Sequence, residues 1–184
     1  MKYSPVPQKG KTTALAGILF AIALVSYVFS IMKITSPALL QLITLLAITA
    51  AVYVLVRFRY TTVTYMITPR GREEYEGIQL LSDIDFIVTK SQGRREGIME
   101  CRLSLDLLAA VVPLPHGQIT GDMRRDLSEK FGKIKIYNYT VSMRPADSIA
   151  LVFDDEGDVS VIAVEPDEVM RQYLEDAAAR NGKV

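Results

Sequence analysis

Between Thr12 and Val56 apolar positions run almost unbroken, whereas beyond Arg57 they alternate or recur at helical spacing. Thr12 to Met32 and Ile34 to Val56 contain no charged residue, and Lys33 and a Ser36-Pro37 helix start separate them. At about 1.5 Å of rise per residue, each run can cross a hydrocarbon core of roughly 30 Å. The pattern predicts a transmembrane helical hairpin with spans at about 13–32 and 36–57. A short tail over 1–11 precedes it, and a single domain over 58–184 follows. Small residues recur at helical spacing, Gly17 and Ala21 on the first span and Ala47 and Ala51 on the second, where they allow close backbone approach in lipid. Neither span holds an ionisable group, which favours an anchor over a pore, and Gln41 reads as an interface or packing residue.

Beyond the hairpin the period changes to two. Residues 59–68 (RYTTVTYMIT) read as a strand that leaves the second span almost without a linker. DFIVTK at 85–90 and IMECRLSL at 98–105 flank a basic, glycine-bounded tip and predict a β-hairpin with one buried face. LLAAVVPL at 107–114 is continuously apolar. Met123, Leu127 and Phe131 share a helical face over 121–131, with Gly132 as C-cap. KIKIYNYTVSM at 133–143 returns to strand chemistry. SIALVF and VSVIAV form a second hairpin around the acidic turn 154–158. From Pro166 to about Arg180 an amphipathic helix follows, with Val169, Met170, Tyr173, Leu174 and Ala177 as its apolar stripe. This order predicts an α+β, mainly antiparallel β roll and not a βαβ fold.

Charge adds orientation. The chain has 21 basic and 21 acidic residues. All the acidic ones follow Arg57, so the soluble part is near −4, with +3 over 57–144 and −7 over 145–184. Three lysines precede the first span and Arg57 and Arg59 end the second, against Lys33 alone between them. The positive-inside rule therefore places both termini and the domain on the cytoplasmic side of the cell (inner) membrane. A balanced total argues against a nucleic-acid partner. One cysteine, Cys101, excludes an internal disulfide framework, and one histidine, His116, without neighbouring Cys or His argues against zinc.

The basic hairpin, the apolar strand, SIALVF, the acidic turn, VSVIAV and the helix beginning EPDEVMRQYL together resemble a bacterial pleckstrin-homology-like (PH-like) domain over about 60–184. The helix at 121–131 departs from the simplest version of that domain. The resemblance implies a two-sheet sandwich or partly open barrel capped by the last helix, often paired with two transmembrane helices, and no enzymatic activity.

Four basic residues are candidates for an anionic headgroup or phosphate. Arg94 and Arg95 occupy the hairpin tip, where the plainer reading is a solvated turn. Arg124 and Arg125 belong to a helix that interleaves Asp122, Asp126 and Glu129, which favours an ion-paired exposed face. The acidic turn lacks calcium-loop spacing, and no nucleophile, zinc or P-loop motif occurs. No metal or cofactor is therefore expected. The sequence supports a non-enzymatic, membrane-anchored module for a protein or peptide partner. A sensor of anionic lipid, or an accessory subunit of a larger membrane complex, are the alternatives.

Overall fold

The computed structural model describes residues 1–6, 9–33, 36–69, 84–93, 97–143, 145 and 147–182. They form two units, one of residues 7–61 and one that combines residues 1–6 with 62–184.

The first unit is a helical hairpin of α1 (Lys9–Ile31) and α2 (Pro37–Leu55), which continues as a wider π-helical turn over Val56–Tyr60. The stretches Gly10–Ile31 and Pro37–Tyr60 are long and apolar enough to cross a membrane. Pro37 starts α2 where its missing N–H costs nothing. Small and hydroxylated side chains form the seam. Thr12, Ala16, Ala23, Ser26 and Ser30 are buried on α1, and Ala47, Ala51 and Val54 on α2. Thr44 Oγ1 donates to Leu40 O at 2.9 Å and reaches Ala23 O of the facing helix at 3.4 Å. The seam corrects the expected residues on α1. Gly17 and Ala21 are exposed, off the face that Ala16 and Ala23 define. Large side chains such as Leu24 and Leu45 point outward.

The second unit contains two four-stranded sheets. The first has the order β1 (Lys2–Tyr3), β2 (Thr61–Pro69), β3 (Ile84–Gln92), β4 (Ile98–Ser104). The second has the order β5 (Leu108–Pro113), β7 (Ile149–Asp155), β8 (Asp158–Val164), β6 (Ile134–Asn138). Between β5 and β6 lies α3 (Gly121–Phe131), and α4 (Glu168–Asn181) ends the unit. Both hairpins form at the expected turns. At the acidic one Glu156 and Gly157 both take positive φ, and Asp154 Oδ1 accepts the Gly157 N–H at 3.0 Å. Gly132 takes φ 80 and returns its N–H to Ser128 O, closing α3.

The main core lies between the sheets. Val63, Tyr65 and Ile67 from β2 and Phe86 and Val88 from β3 meet Leu151 and Phe153 from β7 and Ile162 from β8. Met170, Leu174 and Ala177 of α4 join this core. A second cluster covers the other face of the second sheet, where Leu127 of α3 packs with Ala150, Val152, Val159 and Val161. Burial on both faces explains why β7 and β8 read as continuous apolar runs. It also gives the inserted helix its physical role, since without α3 that face would be bare.

Three expectations are corrected here. Val169 is 66% exposed and does not belong to the α4 stripe. Strand β6 runs parallel to β8, because the chain leaves β6 through a crossover and enters the sheet interior before β8 returns beside it. The N-terminal residues are not merely a tail. Lys2 pairs with Met66 and Tyr3 with Tyr65, as an antiparallel strand on β2. The sheets stay separate, and no closed barrel forms among the described residues.

Candidate functional site

Each sheet has two terminal strands among the described residues, β1 and β4 in the first and β5 and β6 in the second. On β6, Ile136 is 37% and Tyr137 43% exposed. The direction of its unused backbone groups follows from one hydrogen bond. Tyr139 donates its N–H to Ala163 O on the β8 side. Backbone groups alternate sides along a strand, so Tyr137 and Lys135 face β8 and the N–H and C=O of Ile136 face outward. Ile134 packs on the α3 side of the sheet, and Lys135 pairs with Asp158 at 2.7 Å. In the first sheet, β4 exposes Ile98 and Met99 and packs Cys101 and Leu103 against the core. Such edges present the hydrogen-bonding groups that an added strand requires.

Polar groups inside the domain are committed to structure. Glu165, at the end of β8, accepts hydrogen bonds from Val141 N at 2.6 Å and Ser142 N at 2.8 Å on Oε1. Its Oε2 accepts from Ser142 Oγ at 2.9 Å. The Tyr65 hydroxyl donates to Tyr139 O and accepts from Glu165 N. Asn181 donates to Leu105 O and Leu108 O, fixing the end of α4 to the entry of β5. Fully buried Asp85 accepts from Arg102 Nε at 2.6 Å across the β3–β4 hairpin. No buried side-chain polar atom lacks a partner among the described residues. The sequence reading missed Glu165, Asn181 and Asp85 as anchors, because their partners lie 17 to 76 positions away.

A polar cleft of ≈ 310 Å³ opens beside the N-terminal end of α4. Tyr3, Asp147, Asp167, Glu168 and Arg171 line it. Asp167 Oδ1 caps α4 by accepting from Met170 N, and Arg171 Nε pairs with Glu175 at 2.9 Å. Those contacts engage Asp167 and Arg171, and among the described residues no nucleophile–base pair lines the cleft. Among the described residues no group of three His, Cys, Asp or Glu side chains could hold a metal ion.

Of the basic residues singled out earlier, Arg124 and Arg125 lie exposed on α3. Arg125 sits 3.7 Å from Asp122 and 3.9 Å from Glu129, in the mixed-sign pattern of a solvated helix face. Arg94 and Arg95 lie outside the described residues. Cys101 is half-buried, and burial pushes its thiol from 9.0 up to about 11. Its alkylation by iodoacetamide in the full chain should therefore rise about tenfold per pH unit to near pH 11. A plateau near pH 9 would reveal an ordinary exposed thiol. Burial likewise raises the Tyr139 phenol from 10.0 to about 12. The fold favours both neutral forms, so the stability they contribute is complete below pH 9 and falls as pH rises through 11 and 12.

Comparison with protein-family models, with curated proteins and with solved structures returns no match.

Proposed function

We propose that this chain is a membrane-anchored, non-enzymatic interaction protein that receives an extended segment of a protein partner along β6. The supporting observation is the outward backbone of Ile136, flanked by the exposed side chains of Ile136 and Tyr137. A strand added there would gain main-chain hydrogen bonds from Ile136 and apolar contact from both side chains. Lys133, exposed beside the edge, and Lys135 favour acidic side chains in that segment. Anchoring is supported by the helical hairpin, whose small seam and large outward side chains suit lipid surroundings. Lysine and arginine placement favours a cytoplasmic domain at the inner membrane.

The PH-like reading belongs to the same proposal. Two β-hairpins, two facing sheets and a closing C-terminal helix support it, while the parallel β6 and the covering α3 depart from the simplest form. Strand addition is in any case independent of that classification, because it depends on the edge alone.

A photo-crosslinker at Tyr137 of the full chain, activated in native membranes, should attach one protein partner. Ile136→Pro removes the outward donor without removing a bond to β8, and should abolish the attachment while amide protection of β7 and β8 persists. Attachment to lipid alone, or unchanged attachment in the Ile136→Pro chain, would refute the reading.

A further inference from the structure

We infer that α4 and Met1 form an apolar groove that receives a basic amphipathic helix of a protein partner. One wall of the groove is set by the pairing of β1. The Met1 nitrogen donates to Ile67 O at 2.7 Å, and Met1 O accepts the Ile67 N–H at 2.8 Å. Met1 therefore extends the ladder that Lys2 and Tyr3 make with β2. Side chains alternate along that ladder, which sends Met1 to the side of buried Ile67 and Lys2 to the opposite face. The other wall is the flank of α4 that carries Val169 and Tyr173, one helical turn apart. Together these side chains enclose a groove of ≈ 460 Å³. That volume falls within the roughly 300–1,000 Å³ of ordinary binding sites. Met1 is 50% and Val169 66% exposed, so the apolar surface is open to a partner.

Charge selects the occupant. Exposed Glu168 and Asp176 also line the groove, about 12 Å apart along the axis of α4. Between them Gln172 donates to Asp176 Oδ1 at 3.2 Å. No basic residue is among the described residues that line the groove, and the neighbouring Arg171 pairs with Glu175. The surrounding segment 145–184 carries a net charge of −7. A helix laid along α4 can meet both carboxylates with basic side chains two turns apart and place apolar side chains against Met1, Val169 and Tyr173 between them. The same acidic rim repels an anionic leaflet, so the complementary occupant is a protein segment and not the membrane surface. None of these residues belongs to β6, so this inference and the reading of β6 fail independently.

A photo-crosslinker at position 169 tests the contact. The full chain, with benzoylphenylalanine in place of Val169, is held in neutral phosphatidylcholine nanodiscs. The probe is a fluorescent peptide of roughly 15 residues, long enough for appreciable helix, with lysines at i and i+7 and leucines at i+3 and i+4. Irradiation should attach this peptide to the chain, and added salt should lower the yield. A peptide with glutamates for the lysines should attach at least tenfold less, and so should one with serines for the leucines. Glu168→Lys combined with Asp176→Lys should reverse the preference and favour the glutamate peptide, a gain that an unfolded chain cannot show. Ile136→Pro should leave the yield unchanged. Failure of the lysine peptide to attach would overturn the inference. So would equal attachment of lysine and glutamate peptides, an unreversed preference in the double variant, or a yield indifferent to the leucines, which would mean attraction by charge without a groove.

Discussion

Glu165→Ala is expected to destabilise the sheet domain by about 3–5 kcal/mol, the range found when one partner is removed from a buried charged hydrogen-bond network. The carboxylate is 8% exposed and accepts three hydrogen bonds from Val141 and Ser142. Alanine would leave two backbone N–H groups and a hydroxyl without acceptors in the segment between β6 and β7. Glutamine retains an acceptor of the same reach, and its amide can donate to the Ser142 hydroxyl, so Glu165→Gln should cost nearer 1 kcal/mol. Hydrogen exchange of the full chain in detergent reads the difference. Amides of β7 and β8 should lose roughly 10²–10⁴-fold in protection with alanine and about tenfold or less with glutamine. Equal, small losses in both variants would show that the carboxylate holds nothing in place.

Phe86→Ala should cost a similar amount, about 3–5 kcal/mol, by a different route. Phe86 is fully buried at the centre of a row of rings, 6.3 Å from Tyr65 on one side and 6.3 Å from Phe153 on the other. It connects the first sheet to the second, so its removal opens a cavity where the sheets meet. Phe86→Leu, which refills most of the volume, should recover most of the loss. Thermal unfolding followed by tyrosine near-ultraviolet dichroism checks this, because Tyr65 lies against the cavity. A melting curve unchanged by Phe86→Ala would place the core elsewhere.

Local chemistry made most elements legible in the sequence. The two apolar runs, the glycine-bounded turns and the Met123–Leu127–Phe131 spacing identified helices and hairpins within a few residues, since each signal sits inside the element it defines. Pairing across long separations was not legible. Nothing in KIKIYN tells a strand whether its neighbour runs parallel, because a parallel edge and an antiparallel one expose the same alternation. Strand β1 is two residues long, too short for any period. Val169 was misplaced because α4 buries a narrower stripe than its apolar residues suggest, with Met170, Leu174 and Ala177 buried in the core and Tyr173 and Ala178 partly buried against it. Edge positions were harder still. Ile136 is unremarkable as a residue, and its outward backbone acquires meaning only once β6 lies at the end of a sheet.

The pairing of β1 with β2 has a consequence for biogenesis. Lys2 and Tyr3 precede both apolar helices in the chain, yet their partners Met66 and Tyr65 follow them. Closing that loop spans more than sixty residues, an entropic cost that grows only slowly with length. The first sheet thus cannot acquire its outermost strand until the ribosome has passed the hairpin, and it does so only with residues 1–3 and the later strands in one compartment. Completion of this sheet is therefore a built-in record that the two ends of the helical hairpin share one compartment.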